Sequence, residues 1–344
     1  MTAPSLILGV NGQDGALLAA HLLAQGVPVH GGVRPGSSGA SWRLRELGIA
    51  DKVTLHETDL LAAQSLGGLI GDLRPATVYH FGGVSTSLES FDAPRFVLEQ
   101  NVIGTTNLLE AIRTGSPETR LFYTSSAEIY GAGATELIDE TRPPTPQNPY
   151  AISKATAQQL IQAYRARHGM FAVTGIMFNH ESAYRPRRFL TRKVTYTLAR
   201  LRLDGGAPLE LGALDSCRDW GAAEDYVAAM VATLACDTAA DYVFATGRKT
   251  PVREFLRLAA TAAGFDPEFS GEGVDSVCRD RKTGHPIAVV SPQFFRPNDT
   301  SALIGNPVRL KQATGWAGSR DVAALAADMM RADLDRRKAG RTDY

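Results

Sequence analysis

The chain has 344 residues, 44% of them hydrophobic, with 36 Lys plus Arg balanced by 36 Asp plus Glu; a body of that size buries one large core or two coupled ones. Zero net charge offers no field for nucleic acid or anionic lipid, and three cysteines without CxxC spacing or a His cluster suggest neither a disulfide framework nor a metal site. No run of about 18 apolar residues or basic leader is present, so the expectation is a cytoplasmic body of two lobes with no membrane or nucleic-acid partner.

The first half alternates short apolar runs with helical patterns, the signature of a parallel sheet covered on both faces. Strands are predicted at 5–9, 27–33, 53–57, 77–81, 120–125 and 171–178, and helices at 16–25, 61–73, 94–114 and 150–168. Beyond 178 the loops at 180–189 and 270–297 are rich in Pro, Arg and Gly, as in a lobe that closes over a ligand. Residues 219–235 read as a helix and 241–245 as a strand, which returns the chain to the first lobe. The expected fold class is α/β, a doubly wound parallel sheet from 1–178 and about 219–247, with a smaller C-terminal substrate-binding lobe from about 179–218 and 248–344.

Directly after the first strand comes Gly9-Val10-Asn11-Gly12-Gln13-Asp14-Gly15, a GxxGxxG spacing followed at once by a helical pattern. Glycines there permit a tight turn and close approach of a pyrophosphate to backbone N–H groups at a helix N-terminus. The second strand ends Gly31-Gly32-Val33-Arg34. An NAD-preferring protein would usually carry an acid there for the ribose hydroxyls, whereas Arg34 suits a 2′-phosphate, so NADP is favoured over NAD. Arg43 could assist, although a solvated surface arginine is its simpler reading.

Tyr150-Ala151-Ile152-Ser153-Lys154 puts a phenol and an ammonium one helical turn apart on one face. A lysine so placed favours the phenolate, and such a tyrosine can take a hydroxyl proton while hydride leaves the same carbon for a nicotinamide. The fifth strand runs into Ser125-Ser126-Ala127-Glu128-Ile129-Tyr130-Gly131 at the carboxyl edge of the sheet, where ligands bind in open α/β folds. Ser126 can hydrogen-bond a reacting sugar hydroxyl, and Glu128 can remove a proton made acidic by an adjacent ketone.

The glycine turn, SSAEIYG and YAISK in chain order resemble extended short-chain dehydrogenases, of Rossmann type. Gly12-Gln13-Asp14-Gly15, Phe178-Asn179-His180-Glu181-Ser182, Thr191-Arg192-Lys193, Asp215-Ser216-Cys217-Arg218-Asp219-Trp220-Gly221 and Phe294-Phe295-Arg296-Pro297 narrow the resemblance to the GDP-mannose 4,6-dehydratase family. In that family the carbon-4 hydroxyl is oxidised by NADP, water is lost across carbons 5 and 6, and the hydride returns to carbon 6. The resemblance implies that Ser126 holds the hydroxyl, Glu128 is the carbon-5 base, and Tyr150 is the carbon-4 base with Lys154 as its partner. It assigns cofactor contacts to Gly9, Asn11, Gly12, Gln13, Asp14, Gly15, Arg34, Ser37, Asp59, Leu60, Phe81, Gly82, Ser85, Tyr150, Lys154, His180 and Arg185. Substrate contacts fall to Ser85, Ser126, Glu128, Tyr150, Asn179, Lys193, Arg218 and Arg279, whose cationic members would neutralise a diphosphate. A homodimer or homotetramer is implied, with 34–43 as the segment that meets a partner subunit.

This chain departs from the family pattern at several places. Ser126 stands for threonine, Ala127 for serine, Pro35 for a second arginine and Phe96 for a cofactor-contacting tyrosine, while Val84 and Thr86 replace Gln and His in the stretch 81–87 that faces the sugar. Replacing a polar contact by Val changes which sugar a site prefers. Dehydration of GDP-mannose or a related GDP-sugar therefore leads two alternatives: epimerisation, decarboxylation or dehydration of another nucleotide-sugar on the same scaffold, and a catalytically silent cofactor-binding protein.

Overall fold

The computed structural model describes residues 3–37, 41–86, 90–133, 136–295, 303–342 and 344. Ser87, Arg296, Pro297 and the middle of the segment 34–43 lie outside the described residues. The chain opens with β1 (Ser5–Leu8), α1 (Gln13–Ala24), β2 (Val29–Val33), α2 (Trp42–Glu46), β3 (Val53–Glu57), α3 (Ala63–Leu73) and β4 (Thr77–His80). It continues through α4 (Pro94–Leu98), a π-helical stretch (Glu99–Ile103), α5 (Gly104–Gly115), β5 (Arg120–Ser126), a 3-10 helix (Ala127–Tyr130), α6 (Pro149–His168) and β6 (Ala172–Met177). The strands pair in parallel in the order β3-β2-β1-β4-β5-β6, so the direction of winding reverses between β1 and β4. The crevice outside their carboxyl ends is the switch point at which open sheets bind ligands.

Successive strand residues point to opposite faces, and β1 uses both. Ile7 belongs to the core beneath α1, with Leu18 and Phe122, whereas Leu6 and Leu8 join Leu66, Ile70, Leu108 and Ile161 beneath α3, α5 and α6. Full burial of such side chains stabilises the fold by about 1.5–3 kcal/mol each. This two-sided burial is why β1 reads Leu6-Ile7-Leu8 without a polar alternation.

The rest of the chain is β7 (Asn179–Glu181), α7 (Leu190–Asp204), β8 (Leu209–Leu211), β9 (Cys217–Arg218), β10 (Trp220–Ala222), α8 (Ala223–Leu234), β11 (Asp241–Phe244), β12 (Thr250–Pro251), α9 (Val252–Ala262), β13 (Pro267–Ser270), β14 (Val277–Asp280), β15 (Pro286–Val290), α10 (Val308–Thr314) and α11 (Val322–Lys338). β11 closes the first sheet beside β6, making it seven-stranded, while β13-β14-β15-β8 form a separate four-stranded sheet packed with α7, α9 and α11. Two expectations are corrected. The helix expected at 219–235 begins only at Ala223, because 220–222 are extended and pair with β7. The stretch 270–297, expected as loop, carries β14 and β15. The chain also re-enters the first core late, since Leu310 of α10 is buried there.

Helices α7 and α11 are joined through charge. Arg192 and Asp333 are both 0% exposed and meet at 2.7 Å, with a second bond from Nε at 2.8 Å and a third from Thr195 Oγ1 at 2.7 Å. Among the described residues no helix is long and apolar enough to cross a membrane, and no group of three or more His, Cys, Asp or Glu could hold a metal ion.

Candidate active site

The turn after β1 is built on backbone proximity. Gly9 has φ +87°, and an added Cβ there would meet the Phe81 carbonyl carbon at 3.0 Å, so the chain crosses the β4 end with no room for a side chain. A Cβ at Gly15 would lie 2.4 Å from Gly9 O, which is how α1 starts so close to its strand. Gly12, exposed, is the N-cap of α1 and leaves the helix N-terminus facing the crevice. A pyrophosphate-bearing dinucleotide fits this cradle.

Three of the expected cofactor residues, Gln13, Asp14 and His180, instead use their side chains within the protein. Gln13 Nε2 donates to His180 O at 3.1 Å and its Oε1 accepts from Ser182 Oγ at 2.8 Å, while Asp14 Oδ2 pairs with His180 Nε2 at 3.0 Å. They stitch α1 to β7, which leaves their backbone N–H groups to face a ligand. Burial alone would raise Asp14, but the charge and hydrogen bond of His180, with Gln13 and Arg185, bring the carboxyl from 3.8 down to about 2. Burial would likewise lower His180, and the charge and hydrogen bond of Asp14 reverse this and raise the imidazole above 6.5.

The imidazolium's contribution to stability is complete below its ordinary value and fades as pH rises through the raised one. That of the carboxylate is complete above 3.8 and fades as pH falls through about 2. His180→Gln is therefore expected to cost the most, roughly 1–2 kcal/mol, between about pH 4 and about pH 6.5. Urea unfolding across pH measures it, and a cost independent of pH would refute the ion pair.

At the end of β2, Arg34 is exposed, with its carbonyl accepting from Ser37 Oγ at 2.6 Å. Asn11 Nδ2 reaches Ser37 O at 3.4 Å, Asp59 is exposed and accepts from Leu61 N at 2.9 Å, and Leu60 is buried with its carbonyl held by Asn107 at 2.9 Å. The reading of Arg43 as a solvated surface arginine is corrected. It is partly buried, donates to Tyr184 O at 2.7 Å and Asn11 O at 3.2 Å, and burial first, then the charges of Arg192 and Arg336, lower it to about 10. With Arg336 on Ala183 O at 2.6 Å and Arg192 on Arg185 O at 2.8 Å, three guanidinium groups hold three consecutive carbonyls. Arg185 stands on that fixed loop, 3.3 Å from Glu181 and stacked 3.7 Å over the Phe189 ring.

Ser126, Glu128, Tyr150 and Lys154 come together at the β5 end. Ser126 Oγ caps the 3-10 helix by accepting from Glu128 N at 3.2 Å, and its hydroxyl favours the Tyr150 phenolate against burial. Lys154 does not bond that phenol: its Nζ donates to Thr124 O at 2.8 Å and sits 5.9 Å from the Tyr150 ring centre. Burial lowers Lys154 to about 8, whereas burial and then the charge of Glu128 push Tyr150 above its ordinary 10.0. In the protein alone desolvation, not the lysine, dominates at the phenol. Beneath it His80 is buried and brought down to about 3 by burial and by Lys154, so it stays neutral.

Two positioning side chains have no obvious signal in the sequence. Asn101 lies in a π-helical turn within the continuous helix expected at 94–114; it accepts from Val84 N at 2.8 Å and donates to Ser153 Oγ at 2.9 Å. The widened turn aims it at the β4 loop. Asn148, the N-cap of α6, is the other.

The departures from the family pattern fall on this same frame. Val84 is half-buried with its backbone held by Asn101, Ala127 is buried, Ser85 is exposed beside them, and Pro35 and Phe96 are exposed. Of the expected substrate residues, Asn179 is exposed on β7 and Arg218 half-buried on β9. Lys193 donates to Glu210 O at 2.7 Å and lies 4.4 Å over Phe294, with its pKa lowered by burial. Arg279 is exposed on β14, two strands out from β8, and donates to Gly284 O at 3.3 Å; no described contact brings it to the Tyr150 cluster.

Residues 6–329 match the family model for GDP-mannose 4,6 dehydratase. The chain is 37% identical to GDP-mannose 4,6-dehydratase of Yersinia enterocolitica, over 97% of this chain and 94% of that protein. It is 34% identical to the human GDP-mannose 4,6 dehydratase, over 96% and 91%. Among solved structures, RMD from Pseudomonas aeruginosa complexed with NADPH superposes with a TM-score of 0.75 at 26% identity, covering 97% of this chain and all of that one. The same glycine turn, hydroxyl, carboxylate, phenol and lysine that the fold assembles are thus carried on a sequence matched from end to end, and the chain belongs to the GDP-mannose 4,6-dehydratase family.

Proposed function

We propose that this protein is a nucleotide-sugar 4,6-dehydratase that converts GDP-mannose or a related GDP-sugar to the 4-keto-6-deoxy sugar, with a bound nicotinamide cofactor, NADP in preference to NAD. The observation that carries it is the convergence of Ser126, Glu128, Tyr150 and Lys154 beside the dinucleotide cradle, in a chain of this family. Arg34, exposed where β2 ends, supports the NADP preference.

When bound, the nicotinamide supplies reversible hydride storage, taking hydride from carbon 4 and returning it to carbon 6. Ser126 holds the carbon-4 hydroxyl and Tyr150 takes its proton. Glu128 takes the carbon-5 proton, now acidic beside a ketone, as the carbon 6–oxygen bond breaks. A proton then returns to carbon 5. The hydroxyl proton and the departing hydroxide make up the one water lost, and the cofactor ends as it began.

Incubation with a panel of GDP-, UDP-, CDP- and dTDP-sugars, with NADP or NAD added, tests this by mass spectrometry. The expected result is loss of one water from GDP-mannose or a close relative, faster with NADP. Recovery of isomers alone, or of carbon dioxide, would sink it. No turnover with any sugar would favour the silent cofactor-binding protein.

A further inference from the structure

Asn148 uses one amide for two purposes. Its Oδ1 accepts from Ala151 N at 2.8 Å, capping the helix that carries Tyr150 and Lys154, and its Nδ2 donates to Glu128 Oε2 at 3.1 Å. Glu128 belongs to a different element, the 3-10 helix after β5. The intervening loop is closed by Thr145, whose N and Oγ1 donate to Ile129 O at 2.8 Å and Tyr130 O at 2.7 Å. The carboxylate and the phenol, borne by separate elements, are therefore referenced to a single half-buried side chain.

An N-cap needs only an acceptor, and Ser, Thr or Asp provide one as well as Asn does. The donor half is what sets Asn apart: Asp has no donor, and a Ser or Thr hydroxyl would have to cap and donate from one atom close to the backbone, whereas the amide donates from a second atom. Capping accounts for Oδ1 and leaves the bond to Glu128 unexplained. That bond aims the carboxylate.

We propose that Asn148 is a positioning residue for proton transfer at carbon 5, setting the orientation of the Glu128 carboxylate relative to the sugar whose carbon-4 hydroxyl Tyr150 deprotonates. This rests on the reading of Glu128 as the carbon-5 base. A misplacement of about 1 Å costs on the order of 100-fold in rate, and the variants follow from that.

Asn148→Ser and Asn148→Asp both keep a good cap and both lose the amide donor; the second also sets a negative charge against Glu128. Melting temperature, cofactor binding, accumulation of enzyme-bound reduced nicotinamide and formation of dehydrated product are measured for each, with Glu128→Gln in parallel. The expected result is an unchanged melting temperature and retained carbon-4 oxidation. Dehydration falls by on the order of 100-fold in the Ser variant and further in the Asp variant, in kcat rather than KM. Wild-type dehydration by Asn148→Ser would overturn the proposal, and so would a loss that tracks melting temperature and cofactor binding, which is what a cap alone predicts. Normal dehydration by Glu128→Gln would instead remove the base itself, and that result is read independently of Asn148.

Discussion

Glu128→Gln is expected to bind cofactor and nucleotide-sugar normally, to oxidise carbon 4, and to lose dehydration by about 10²–10⁴-fold, equivalent to about 3–5 kcal/mol of barrier. The amide has the size of the carboxylate and can still turn its oxygen to Asn148 Nδ2, which donates to Glu128 Oε2 at 3.1 Å in the native protein, so the local structure survives. What it cannot do is accept the carbon-5 proton. The distinguishing measurement is a single turnover followed both by the absorbance of reduced nicotinamide and by product mass. Reduced cofactor should accumulate without loss of water. Dehydration at the wild-type rate would remove Glu128 from the chemistry.

The second large effect is on stability. Arg192→Met is expected to destabilise the fold by about 3–5 kcal/mol, because removing one partner strands the other as an uncompensated buried charge. Asp333 is 0% exposed and would keep Thr195 Oγ1 at 2.7 Å and Arg336 Nη1 at 3.4 Å, neither of which replaces the paired bonds of Arg192. The double variant Arg192→Met with Asp333→Leu should recover much of the loss, since a buried pair replaced by apolar groups of similar volume is often near neutral. Urea midpoints for the two variants check both parts. Equal losses in the single and the double variant would show that shape rather than charge holds α7 to α11. Arg192 also donates to Arg185 O at 2.8 Å, so the single variant should loosen the loop that carries Arg185.

The first lobe was legible because its strands are buried on both faces, which writes short, mostly apolar runs into the chain, as at 6–8, 121–123 and 172–177. The second lobe was less so, because two of its helices, α7 and α11, carry charge on their inner faces. Arg192 and Thr195 on α7, and Asp333 and Arg336 on α11, occupy buried positions that apolar residues usually hold, so the helical period is broken in any hydrophobicity count. The helix expected at 94–114 runs unbroken from Pro94 to Gly115; the sequence did not announce the π-helical turn within it, where Asn101 takes both polar groups of the Val84 backbone and the widened turn gives it the reach.

The glycine turn and the Tyr150–Lys154 spacing were readable because their geometry is local: a strand-to-helix turn and one helical step are set by backbone sterics within a few residues. So was the family, carried by short stretches spread along the whole chain. The tertiary structure alone decided which side chains face a ligand and which face the protein. Asp14 meets His180 across 166 positions, Gln13 meets Ser182 across 169, and Glu128 meets Asn148 across 20. Nothing local fixes such pairs; they form because a polar group taken out of water must find a partner, and only the packed fold determines which one is within reach.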